Sequence, residues 1–134
     1  MGSVSIDTLT TGYSALAARD DGRLMECLSE DVELRTLTGS YRGHDGIRQW
    51  ILDMDEGWDP WGLTIEHASE IGERVLLEVT LAGRSGVNGI AMSHRFWAVW
   101  EVREGRAALG IHCADRAEAL AAAEFVPGFE LGEP

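Results

Sequence analysis

The hydrophobic pattern of this chain changes period part-way along, and that change limits the fold more than any single motif. In the first half, apolar side chains recur at helical spacing. Ile6, Leu9, Tyr13 and Leu16 predict an amphipathic helix over about 5–18, capped by Ser3 or Ser5. Asp20 caps a second short helix, "DGRLMECLS", whose apolar face is Leu24, Cys27 and Leu28. "DVELRT" alternates and predicts a strand, and "GSYRGHDGI" turns into a third helix burying Ile47, Trp50, Ile51 and Met54. The segment "EGWDPWG" reads as a loop, with Trp58 and Trp61 either side of Pro60 as a pocket edge. Beyond it the period is two. "LTIEHASEI", "RVLLEVTLAG", "MSHRFWAVWEV" and "RAALGIHCA" predict strands joined by hairpins at Gly72, "GRSGVNG" and "REGR". A last helix runs from Asp115, its cap, through Glu124. Helices grouped ahead of an antiparallel meander make an α+β domain, with one curved sheet wrapped on helices and a cavity between them.

Composition narrows the partners. The 134 residues amount to one domain, and 45% of them are hydrophobic, enough to bury a core. A net charge of -12 argues against nucleic acid and against an anionic membrane surface, both of which need a basic patch. Every basic residue is arginine, so Schiff-base chemistry on a lysine is excluded. Cys27 and Cys113 form no CxxC pattern, which disfavours a disulfide framework or a structural zinc site. The start "MGSVSIDTLTTGY" lacks signal-peptide regions, and no stretch approaches the roughly 20 apolar residues of a membrane span. The expected location is the cytoplasm.

Three stretches carry a family resemblance: "YSALAARDDGRLMECLSEDVEL", "YRGHDGIRQW" and "FWAVWEVREGRAALGIHCADRAEALAAAE". In this order and spacing the chain resembles SnoaL-like proteins of the nuclear transport factor 2 and ketosteroid isomerase-like superfamily. The resemblance implies one domain over 1–134, with a short tail from about 126. It implies a cone: a bent antiparallel sheet closed by N-terminal helices around an apolar pocket. Members include polyketide cyclases, ketosteroid isomerases, limonene epoxide hydrolases and pockets without catalysis, so the site must decide the function.

Similarity to the isomerases matches Tyr13 to their oxyanion tyrosine. It puts Thr36 where their general-base aspartate stands, and Ala98 where they carry a second acid. The Arg-x-Asp pair of the epoxide hydrolases is also missing, since Leu77, Val79 and Leu81 hold the inward positions. The cyclases place an acid/base group on the last strand, near His112 here. Strand parity sets His94, Phe96, Ala98 and Trp100 on the cavity side. Across the hairpin at Gly105, Ala98 falls opposite His112, so Gly110, His112 and Ala114 face in while Ile111 and Cys113 face out. Packing is the plainer reading of a strand histidine, and of Tyr13. The sharper reading makes His112 an acid or base near neutrality, with Tyr13 donating to an oxyanion.

The pocket walls expected around that pair are Trp50, Met54, Trp61, Leu77, Val79, Phe96 and Trp100, with His94 and Thr36 nearer the rim. His67, sharing a face with Ile65, is expected at the mouth. No HxH or HExxH spacing supports a metal site, and no cofactor is implied. Asp53 reads as a solvated helix-face residue. Trp97 and Val99 point to the outer sheet face, where a homodimer contact is expected. The leading function is cofactor-independent proton transfer of cyclase or isomerase type on a carbonyl-bearing, polyketide- or steroid-like molecule. The alternatives are a binding protein for a small apolar ligand and a dimeric accessory protein.

Overall fold

The computed structural model describes residues 3–124, so the expected tail from about 126 lies outside the described residues. The chain order is α1 (Val4–Ala17), α2 (Asp21–Glu26), β1 (Leu28–Arg35), β2 (Ser40–Arg42), α3 (Gly43–Gly57), β3 (Trp58–Ile71), β4 (Arg74–Ser85), β5 (Ala91–Arg103), β6 (Arg106–Cys113) and α4 (Arg116–Glu124). The helix ends follow the capping logic. Ser3 accepts the Ile6 N–H at 3.1 Å, Asp20 that of Arg23 at 3.2 Å, and Asp115 that of Glu118 at 2.8 Å. Among the described residues no helix is long and apolar enough to cross a membrane.

The strands form one curved, six-stranded sheet in the order β2-β1-β6-β5-β4-β3. β3 through β6 are the expected antiparallel meander. Two features were not legible in the period. β2 is only three residues long, too short to show alternation. β1 pairs antiparallel with its neighbour β2 on one side and parallel with β6 on the other, so the first strand borders the last.

The concave face carries the main core. Leu9, Leu16, Leu24 and Ile47 from the helices meet Val75, Leu77, Val79, Leu81, Phe96, Ala98 and Trp100 from the sheet. Burying one such aliphatic or aromatic side chain is worth about 1.5–3 kcal/mol. Trp50, Ile51 and Met54 of α3 pack half-buried against this core, as their spacing predicts. The convex face has a smaller core of its own, in which Ala119 and Ala123 of α4 cover Leu76, Val99 and Cys113. Arg74 ties the helix down by donating to the Ala122 carbonyl at 2.7 Å and to Glu101 at 3.2 Å. Val99, expected on an open dimer face, is therefore 1% exposed beneath the chain's own last helix.

Two expectations in β3 need correction. The "EGWDPWG" segment is not a loop: α3 runs to Gly57 and β3 begins at Trp58. Pro60 is accommodated because β3 is an edge strand, where no neighbour needs its N–H, and the register shifts between Trp58 and Trp61. A second shift between Ile65 and His67 reverses the parity. Ile65 stays opposite Val79, but His67 pairs with Glu78 and lies beside Trp97 and Arg116 on the convex face.

Candidate functional site

β5 and β6 pair without a shift from Trp97–Cys113 to Glu101–Leu109, which sets Ala98 opposite His112 and Trp100 opposite Gly110. Both His112 and Trp100 thus project to the concave side. Trp100 lies flat across β6, so that a Cβ added at Gly110 would come within 2.6 Å of its ring atoms. Only glycine leaves room for that overlap. The indole then reaches α1, where its Nε1–H donates to the Tyr13 hydroxyl at 3.2 Å. That bond uses an acceptor lone pair of the hydroxyl and leaves the Tyr13 O–H free to donate.

His112 is held by aromatic rings. Phe96 lies 4.7 Å away and Trp50 6.1 Å away between centroids. Trp61 braces Trp50 edge-on at 5.8 Å. Among the described residues no side chain or backbone group hydrogen-bonds the His112 ring. Burial without a polar partner pulls its pKa down to about 4, so the imidazole is neutral at pH 7. Burial also pushes Tyr13 up to about 12, with the Trp100 hydrogen bond a smaller, opposing effect. Tyr13 is a phenol, not a phenolate, and works as a donor.

Two cavities abut at His112. The inner chamber, about 50 Å³, is roofed by α1 and α2. Apart from Thr8, Tyr13, Cys27 and His112, its lining side chains are aliphatic or aromatic. The outer cleft, about 310 Å³, opens between α3, the β1–β2 turn and the far ends of β4 and β5. Trp50, Leu63 and His112 line both. Burial raises the Cys27 thiol, so this chamber residue is not a ready nucleophile.

The expected site residues divide accordingly. Tyr13, Trp50, Trp100 and His112 meet at the inner chamber. Thr36, Met54, His94 and Phe96 line the outer cleft with Trp50 and His112. The Thr36 hydroxyl is committed to its turn, donating to the Gly39 carbonyl at 2.8 Å and accepting from the Thr38 and Gly39 N–H groups. Leu77 and Val79 face inward but line neither cavity, since both are fully buried under other core side chains. Trp61 lines neither of these two cavities either. It is buried, its Nε1–H bonds Asp55 at 2.6 Å, and Arg19 stacks over its ring at 4.5 Å.

Asp53 had more to offer than its sequence position suggested. It lines the outer cleft and accepts from the Tyr41 hydroxyl at 2.7 Å and from the Gln49 amide at 2.8 Å. These two donors, Tyr41 foremost, hold its carboxyl below the usual range. The Gln49–Asp53 spacing of four residues was visible, but Tyr41 sits on the short β2. Gly12, Cys27 and Leu63 were also missed as lining residues. Among the described residues no group of three or more His, Cys, Asp or Glu side chains could hold a metal ion.

Comparisons with known proteins agree with this architecture. An NTF2-like protein of unknown function from Burkholderia pseudomallei K96243 superposes with a TM-score of 0.77 at 24% identity, covering 92% of this chain and 100% of that one. TerC, co-crystallised with polyporic acid, superposes at 0.76 and 21% identity, covering 92% and 100%. A protein with a ketosteroid isomerase-like fold from Catenulispora acidiphila DSM 44928, in complex with trimethylamine, superposes at 0.72 and 17% identity, covering 90% and 97%. No curated protein matches the chain. The model of the SnoaL-like domain matches residues 9–109. With that match over most of its length, on a sheet and helices shared with NTF2-like structures, the chain belongs to the SnoaL-like family.

Proposed function

We propose that this protein is a cofactor-independent enzyme moving a proton on a small carbonyl-bearing molecule, in the manner of a cyclase or isomerase. One observation carries the reading: an unpartnered neutral imidazole and a free phenol O–H wall the same apolar chamber. The Tyr13 O–H donates to the carbonyl oxygen and stabilises the charge that develops there as a C–H proton leaves. His112 takes that proton and can return it at a second atom. With a pKa of about 4, roughly one imidazole in a thousand is protonated at pH 7, so His112 begins the cycle as base and not as acid. A base that weak suits a carbon already acidified, such as one between two carbonyls.

Solvent exchange tests this. The protein is incubated in D₂O with a panel of cyclic and aryl 1,3-diketones that carry a C–H between their carbonyls. Deuterium uptake above the buffer rate is followed by NMR. His112→Ala should lower that rate about a hundredfold, and Tyr13→Phe should lower it without abolishing binding. Saturable binding with no exchange on any substrate would instead favour a binding protein, a role the apolar chamber also suits. Our reading includes a cytoplasmic homodimer, whose contact surface must avoid Val99 because α4 covers it. Sedimentation at micromolar concentration and cell fractionation check those two points.

A further inference from the structure

We propose that the inner chamber is a length-selecting subsite that takes an acyl arm of about two to four carbons, while the aromatic ring of an aryl ketone stays in the outer cleft. The proposal rests on the proton-transfer reading of this site and adds the substrate class to it.

The volumes make the division. At about 50 Å³ the chamber is roughly a third of an apolar cavity of about 150 Å³ that takes a benzene ring, which leaves it room for a short chain of a few methyl-sized groups. An acetyl arm counts three heavy atoms, a propionyl four and a butyryl five. An aromatic ring is therefore left to the larger outer cleft. The outer cleft, at about 310 Å³, lies within the range of small-molecule sites and offers Phe96, Trp50, Met54 and Leu81 to a flat ring. His112 stands where ring and arm would join. An arm entered this way brings its carbonyl oxygen to the Tyr13 O–H and its α-carbon to the imidazole, which an arm too long for the chamber cannot do.

Gly12 on α1 lines the chamber beside Cys27 and Leu24. A Cβ added there would meet Cys27 Cβ at 3.5 Å, Cys27 Sγ at 3.9 Å and Leu24 Cδ1 at 4.0 Å. These are ordinary contacts, so Gly12→Ala fills about one methyl-sized volume without forcing its neighbours apart. The same change favours the helix. Leu16→Ala opens the same wall one helical turn further along α1.

The experiment measures affinity of the full chain for n-alkyl phenyl ketones from acetophenone to octanophenone, by titration calorimetry. Affinity should rise about fourfold per methylene while the arm still fits. It should peak no later than butyrophenone and then stop rising. Gly12→Ala should move the peak one carbon shorter, and Leu16→Ala at least one carbon longer. An unbroken rise to octanophenone overturns the proposal, and so does a peak that neither variant moves. Binding to none of the ketones overturns it together with the carbonyl reading of the site. A peak that shifts as described, in a protein that exchanges no α-proton, leaves the length selection standing and removes only the catalytic reading.

Discussion

Gly110→Ala is the sharpest test of how the site is held, because the added methyl has one place to go. Its Cβ would lie 2.6–2.7 Å from three atoms of the Trp100 ring, whereas carbon atoms rest at about 3.5–4.0 Å. The indole must therefore retreat by about 1 Å. Trp100 is 6% exposed and hemmed in by core side chains, so the displacement strains a packed interior. Overpacking of this kind costs about 1–3 kcal/mol. The 3.2 Å bond from Trp100 to Tyr13 is stretched or broken, which adds about 0.5–1.5 kcal/mol. Together the loss is about 1.5–4.5 kcal/mol, read as a lower urea midpoint at unchanged slope. Gly62→Ala is the control, since a Cβ there meets nothing within 4 Å; it should leave stability unchanged or raise it slightly. A Gly110→Ala protein within about 0.5 kcal/mol of the parent would refute the argument that Trp100 needs this glycine, and with it the indole's role in placing Tyr13.

The pH dependence of stability follows from His112. Its folded pKa of about 4 lies below the ordinary 6.5, so between those values the unfolded chain binds the extra proton and acid unfolds the protein. Stability from this residue is whole above about pH 6.5, and up to about 3 kcal/mol is lost by pH 4. The parent's urea midpoint should fall relative to that of His112→Gln as pH drops through that window; parallel curves would show that the imidazole is not desolvated. On the convex face, Arg74→Met removes both the Ala122 carbonyl bond and the Glu101 ion pair. It should cost about 1–3 kcal/mol and speed amide exchange in α4 more than in β5, whereas uniform exchange would mean that α4 is held by its alanines alone.

How much of this was legible depended on whether a residue sat on an unbroken ladder. The concave placement of His112, Phe96 and Trp100 follows from counting by two along β5 and β6, and the count holds because the pairing there does not shift between Trp97 and Glu101. His67 was misplaced by the same count, since one extra residue between Ile65 and His67 turns every later side chain over. Parity has a second limit. It assigned Leu77 and Val79 to the correct face, but a face says nothing about whether open space or another side chain lies above it. The helices fill that space over β4 and leave it over β6. α4 was legible as a helix, but its alanine-rich surface gives little directional signal, so its docking over Val99 was not.

The site's composition follows from the same geometry. A strand residue reaches a cavity only where the opposing helix offers something small or turns away. Here α1 presents Gly12 one residue before Tyr13, so the helix comes close to Cys27 while the tyrosine reaches over to Trp100. Each polar group that ends up inside had to be satisfied by a neighbour or left for a ligand. The Tyr13 oxygen is satisfied by Trp100, Asp53 by Tyr41 and Gln49, and the Thr36 hydroxyl by its own turn. The His112 ring faces both cavities with no hydrogen-bond partner among the described residues. A packed structural histidine would be expected to carry a hydrogen bond that fixes its ring. Its absence here, in a half-buried ring walled by Phe96 and Trp50, leaves the imidazole nitrogens open to the cavities, which is what the proposed role as base requires.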